Sequence, residues 1–186
     1  MTHRLPPLPV DEIDETASQV FDLLSGDGRN ASPLYLTLAR APAMLESWAV
    51  ISRSIRADVH IPARLRELMI MRIAQLTGTE YAWAYHWKPA RDSGISTEQL
   101  DALSGWGTSP LFDASEKAVL TYTEAVTRLD VDVDVFRRLE SVFRADEIVE
   151  LTVIAAFYCM VGRVIQALGI EVDDRHAQFL PAIRST

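Results

Sequence analysis

Helical periodicity runs through almost the whole chain, and it limits the possible folds more than any other feature of the sequence. Apolar residues recur at intervals of three and four between breaks that contain proline or glycine, and no segment shows the strict alternation of half-buried strands. Most segments begin with a capping signal, and the starts at Ser96 and Asp113 have the spacing of a capping box. The sequence therefore predicts an all-α fold with negligible β structure.

The pattern predicts one helical domain over residues 11–170, preceded by an extended arm and followed by a polar tail. The arm is residues 1–10, which contain three prolines, and the tail is residues 171–186, which are expected to be only partly ordered. A helix is expected to begin at Asp132 or Asp134 and to end near Phe143. The other predicted helices cover residues 11–24, 34–40, 42–56, 63–77, 79–93, 96–103, 113–128 and 145–168.

Charge and cysteine content exclude several classes of protein. The net charge of −8 would repel a phosphate backbone over most of the surface, so neither nucleic acid nor an anionic membrane is an expected partner. The longest apolar run, residues 151–162, is too short to cross a bilayer, and the N-terminus does not have the pattern of a secretory signal. The single cysteine, Cys159, excludes an internal disulfide, which favours a reducing cytoplasm.

Two residues on neighbouring helices are candidates for acid–base chemistry. Glu67 lies in a helix that is apolar nearly all round, so its carboxylate must reach an edge, pair with an arginine or have its pKa raised by burial. His86 lies on the next helix, and imidazole is well suited to move protons near neutral pH. Gly78 allows a tight turn between the helices, so we expect Glu67 and His86 to approach within hydrogen-bond reach, directly or through one water. Pro89 is expected to kink or end the second helix just after His86.

The same stretch resembles the carboxymuconolactone decarboxylase and alkylhydroperoxidase D-like (AhpD-like) family. In that family a glutamate precedes a C-x-x-C-x-x-x-H motif by twelve residues, and the matching positions here are Glu67, Thr79, Ala82 and His86. Similar motifs follow near residues 112–120 and 145–153, so the resemblance spans roughly residues 33–173. It implies an AhpD-like helical bundle that assembles as a dimer, trimer or hexamer. The four tryptophans and the apolar last helix also favour a homo-oligomer.

The chain departs from the family pattern where the family's thiol chemistry would lie. Thr79 and Ala82 replace both cysteines, and neither a hydroxyl nor a methyl group can act as a peroxidatic thiolate. Cys159 is expected to be a buried core residue. The retained Glu67 and His86 resemble the decarboxylase branch, which implies a lyase or isomerase for a small organic acid or lactone that needs neither a metal nor an organic cofactor.

Around this pair, the candidate substrate-binding residues are Arg66, Tyr81, Trp83 and Thr79. Arg66, together with Arg64 or Arg72, could hold a substrate carboxylate through bidentate hydrogen bonds, although solvated helix charges explain the arginines equally well. The aromatic residues are more often packing than a ligand cage.

Each site residue also has a structural interpretation, and two other functions stay open. His86 could be a core histidine, and Glu67 could be a buried partner of an arginine that fixes helix packing. A non-catalytic oligomer that binds a ligand or a partner is the first alternative function, and a peroxidase-related antioxidant protein with an unusual thiol is the second. A solvent-reachable site at His86 would favour the enzyme, whereas a filled and dry core would favour the binding protein.

Overall fold

The computed structural model describes residues 4–25 and 31–180, except for the side chains of 23–25, and these residues form nine α-helices and no β-strand. The expected loop at 26–30, the first three residues of the arm and the last six of the tail lie outside the described residues. The helices are α1 (Glu15–Ser25), α2 (Pro33–Leu38), α3 (Pro42–Ala57), α4 (Ala63–Thr77), α5 (Glu80–Asp92), α6 (Thr97–Ala102), α7 (Ala114–Arg128), α8 (Val133–Glu140) and α9 (Ala145–Leu168).

Local capping explains why most helix starts fall where the sequence predicts them. Ser96 and Asp113 both form the reciprocal bonds of a capping box, at the starts of α6 and α7. The start of α8 is settled in favour of Asp132, whose carboxylate accepts a hydrogen bond from the Val135 amide at 2.8 Å. The predicted all-α, single-domain fold is confirmed.

Of the two effects expected of Pro89, a kink or an end of α5 just after His86, the second is wrong, whereas the helix predicted over 79–93 is confirmed. The helix continues through Pro89 to Asp92. Proline removes only its own N–H donor, and the Ser93 and Ile95 amides donate to the carbonyls of Pro89 and Ala90, which carries the backbone pairing past the proline. Ala90 and Ile95 are fully buried, so packing also holds this end of the helix in place.

Helices α4 and α9 form the centre of the bundle. α4 packs against α5, α7 and α9, and it is buried on several faces because nine of its residues are largely removed from solvent. α9 is long and apolar enough to cross a bilayer by length and composition, but the core helix of a soluble protein has the same character, and over half of its apolar window is buried within the bundle. Glu67 of the candidate acid–base pair therefore lies on a central helix of the bundle.

The described residues near each end of the chain, from Arg4 onwards and up to residue 180, pack on the bundle. Arg4 donates to the backbone carbonyls of Gln166 and Ala167 in the last turn of α9, at 3.0 and 3.1 Å. Only part of the tail was expected to be ordered, yet residues 171–180 lie against α5: the His176 ring stacks on Tyr85 with 3.8 Å between centroids. The reason is that the polar-looking tail carries aromatic rings that cover the aromatic face of α5.

Candidate active site

The α4–α5 hairpin positions the two residues of the candidate pair. Gly78 ends α4 in the left-handed conformation (φ 63°), which a residue without a Cβ adopts at little cost. The chain then reverses tightly into α5. This reversal brings Glu67, near the start of α4, alongside His86, in the second turn of α5.

Glu67 and His86 are in direct contact, as the sequence predicted. Oε2 of Glu67 lies 2.8 Å from Nδ1 of His86. Because an ionised carboxylate can only accept, Nδ1 carries the proton of this bond, and no described residue forms a hydrogen bond with Nε2. The Glu67 side chain is only 4% exposed and that of His86 is 21% exposed, so solvent reaches the imidazole while the carboxylate behind it stays buried.

Arg66 is the third charged member of this cluster. Its Nε donates to Oε1 of Glu67 at 3.2 Å, and its Nη1 donates to the carbonyl oxygens of Ile55 and Arg56 at the end of α3. Burial alone would raise the pKa of Glu67, but the hydrogen bonds and charges of His86 and Arg66 outweigh burial and leave that pKa below its ordinary value. Glu67 is therefore a carboxylate at neutral pH.

Tyr158 of α9 completes the site, and sequence reasoning missed it. Its ring meets the His86 ring edge-on, with 5.1 Å between centroids and 87° between planes. Tyr158 is 6% exposed, and its hydroxyl has no hydrogen-bond partner among the described residues. Burial and the nearby charge of Glu67 raise the pKa of Tyr158, which keeps the phenol protonated. The feature of the sequence that could have indicated Tyr158 is that it is a single tyrosine in the most apolar helix.

Thr79 is sealed from solvent, at the position where the family has its first cysteine. The Thr79 hydroxyl lies 2.8 Å from that of Thr77. Since Thr77 already donates to the Ile73 carbonyl at 2.7 Å, Thr79 must be the donor of this pair. Thr79 is 2% exposed and packs against Gly162, where an added Cβ would lie 3.1 Å from its hydroxyl oxygen. The Thr79 hydroxyl therefore has a structural role and does not face a substrate site.

The two aromatic candidates for substrate binding are also engaged in packing. Tyr81 is 5% exposed, accepts a hydrogen bond from the Leu34 amide at 3.2 Å and stacks on Tyr85. Burial raises the pKa of Tyr81 to about 12. Trp83 lies in a separate core cluster with Leu68 and Leu100. No hydrogen bond or ring contact links Tyr81 or Trp83 to Glu67 or His86.

The other two candidate arginines bind carboxylates of the chain itself. Arg64 pairs with Glu116 at 2.6 Å, and Arg72 pairs with Glu124 at 2.6 Å. Both pairs join α4 to α7, so these guanidinium groups serve the packing of the bundle. Of the three arginines considered from the sequence, only Arg66 lies at the pair.

The described residues hold no group of three or more His, Cys, Asp or Glu side chains arranged to bind a metal ion. Cys159 is 6% exposed, and its sulfur lies 3.6 Å from the Thr127 hydroxyl. What the site offers chemically is an imidazole oriented by a carboxylate, a guanidinium and a protonated phenol.

Comparison with known proteins gives matches to one family and one fold. Residues 42–125 match the model of the carboxymuconolactone decarboxylase family. The uncharacterised protein YnjA of Escherichia coli (strain K12) is 32% identical over 108 residues, which are 57% of this chain and 59% of YnjA. The chain thus matches less than two thirds of that relative.

Two solved structures have the same architecture over nearly their full length. The debrominase Bmp8 in complex with 2,3,4-tribromopyrrole has a TM-score of 0.78 at 17% identity, with 96% of each chain covered. A peroxidase-related protein of Silicibacter sp. TM1040 has a TM-score of 0.79 at 17% identity, with 92% of this chain and 93% of the other covered. At such identities the likeness establishes the fold.

Proposed function

We propose that this chain, whose residues 42–125 match the model of the carboxymuconolactone decarboxylase family, is a thiol-independent enzyme, a lyase or isomerase for a small organic acid or lactone. The observation that carries the proposal is the 2.8 Å contact between buried Glu67 and partly exposed His86. A carboxylate that accepts from Nδ1–H fixes the tautomer and the orientation of the ring, which suits a residue that takes up and releases a proton at Nε2.

The proposed substrate carries a carboxylate next to a lactone or other conjugated carbonyl group. In decarboxylation, the bond between the ring carbon and the carboxylate breaks, its electron pair passes into the conjugated carbonyl, and carbon dioxide leaves. His86 then protonates the carbon from Nε2 and recovers its proton from solvent. A positioned proton donor contributes about 10²–10⁴-fold to such a step.

Arg66 and Tyr158 are the proposed substrate-orienting residues. Nη2 of Arg66 has no hydrogen-bond partner among the described residues, so it is available to a substrate carboxylate. The hydroxyl of Tyr158 is equally unpaired, and as a protonated phenol it can donate to a carbonyl oxygen on which negative charge develops.

The two alternative functions, a thiol peroxidase and a non-catalytic binding protein, have less support from the residues of the site. A thiol peroxidase needs a reactive thiolate and a resolving partner, whereas Cys159 is the only cysteine in the sequence and is buried. A non-catalytic binding protein would not need a partly exposed imidazole held by a buried, charged carboxylate.

The proposal is tested by turnover of carboxylated lactones in deuterium oxide. Purified protein is expected to release carbon dioxide and to place one deuterium at the former carboxyl-bearing carbon, as read by NMR. The variant His86→Asn keeps a donor towards Glu67 but lacks Nε2, so it should fold normally and lose at least 100-fold in kcat/KM.

A double variant shows whether the two residues act as a unit. Glu67→Gln combined with His86→Asn should lose little more activity than either single change, because residues that act together are not additive. Full activity in His86→Asn, or no turnover of any acid or lactone by the unaltered protein, would remove the basis of the proposal.

A further inference from the structure

The outer face of α9 carries a regular apolar stripe that is covered by no other described element. Its central members are Val149, Val153, Ala156 and Met160, and all four are exposed, with Val149 at 63% and Val153 and Met160 at 42% each. They follow one another at intervals of four, three and four residues. That spacing is the heptad repeat by which one helix packs along another.

A charged residue continues the heptad stripe at each end. Asp146 lies three residues before Val149, and Arg163 lies three residues after Met160, so the two charges have opposite sign. Both residues are exposed; Asp146 also pairs with Arg144 of its own chain, whereas Arg163 forms no ion pair with any described residue. A contact surface with an apolar centre and charged rims has the usual anatomy of a protein interface.

The order of residues along the stripe makes it complementary to itself in reverse. When a second α9 lies antiparallel with the two-fold axis between residues 154 and 155, Val153 meets Ala156 of the other copy and Val149 meets Met160. In the same register Asp146 of each copy meets Arg163 of the other, so one pair of opposite charges forms at each end of the interface. Such a repeated pairing is what a two-fold interface between identical subunits requires.

We infer that the Asp146–Arg163 stripe of α9 is a homodimer interface in which two copies pair antiparallel about this axis. The inference is independent of the proposed function, because Tyr158 points from the opposite side of α9 into the bundle. A parallel arrangement would place Asp146 against Asp146 and Arg163 against Arg163, which the charges oppose. Opposite charges at equal distances from the centre of the stripe would not favour binding to a membrane surface.

Sedimentation equilibrium of the full chain tests the interface at its centre. The unaltered protein should sediment as an assembly of at least twice the 20.8 kDa subunit mass. Val153→Glu buries two carboxylates at the axis and should raise the dissociation constant about 100-fold or more. The matched control is Val50→Glu, the same change at a 57% exposed valine of α3, which should leave the assembly unaltered.

A charge exchange tests the register. Asp146→Arg or Arg163→Asp alone should weaken the assembly roughly tenfold, because each places like charges together at both rims. The double exchange should restore the dissociation constant to within about threefold. Circular dichroism of each variant establishes that it is folded.

Three results would overturn the inference. A monomeric unaltered protein at 100 µM that binds vesicles of anionic phospholipid would assign the stripe to a membrane. An assembly that Val153→Glu leaves intact would place the interface elsewhere. A double exchange that is weaker than both single changes would exclude the antiparallel register.

Discussion

Replacing Glu67 by glutamine keeps the size of the side chain but removes the charge that holds His86 and Arg66. The buried carboxylate accepts one hydrogen bond from each, at 2.8 and 3.2 Å. Breaking a buried charged pair costs about 3–5 kcal/mol. Because the amide oxygen still accepts one of the two bonds, we expect Glu67→Gln to lower the free energy of unfolding by about 3 kcal/mol at pH 7.

The pH dependence of this difference has a definite sign. The pKa of Glu67 is lower in the folded protein than its ordinary value of 4.5, so the carboxylate stabilises the fold fully above that value. Its contribution is lost as the pH falls through the folded-state pKa. The gap between the unaltered protein and Glu67→Gln should therefore be constant from pH 8 to 5.5 and should shrink at lower pH.

Urea unfolding followed by circular dichroism at several pH values measures the gap. The matched control is Glu150→Gln, which breaks a second glutamate–histidine contact of 2.8 Å, to His60. The His60 side chain is 67% exposed, so this variant should lose much less stability and keep full activity. A loss below about 0.5 kcal/mol for Glu67→Gln, or a gap that persists unchanged to pH 3, would refute the assignment of an ionised buried carboxylate.

Three further changes separate the roles of neighbouring residues. Tyr158→Phe should lower turnover at least tenfold, as measured by steady-state kinetics. The free energy of unfolding in urea should change by no more than about 0.5 kcal/mol, because the hydroxyl has no hydrogen-bond partner among the described residues. Cys159→Ser should leave turnover within about twofold in the same assay, since the buried thiol takes no part in the reaction. Phe179→Ala should lower the free energy of unfolding by about 0.5–1.5 kcal/mol, because it removes a ring stacked on Trp87 at 4.8 Å.

The parts of the fold that depend on neighbours in sequence were predictable. The capping boxes that begin at Ser96 and Asp113 use residues three positions apart, so the start of each helix can be deduced from a few letters. The Glu67–His86 contact could be predicted for a similar reason, because one tight turn at Gly78 joins their helices.

The parts that depend on distant packing were not predictable. The stacking of His176 on Tyr85 joins residues about ninety positions apart, and no local pattern in the polar tail indicates it. Tyr158 lies at the site because α9 crosses α4 and α5 in space. Thr79 was a candidate for substrate binding because of its spacing from Glu67. Its hydroxyl is instead buried against Gly162, which has no side chain and so leaves room for it.

The contact between Arg4 and the end of α9 bears on how the protein is made. Residues 162 and 163 positions apart are joined there, so Arg4 can complete these contacts only after the end of α9 has been synthesised. At about 5–20 residues per second, that delay is roughly 8–33 s. During this interval the apolar segment 145–168 is still missing from the nascent bundle. Until α9 packs on it, the face of α4 that α9 covers is therefore open to chaperones and to aggregation.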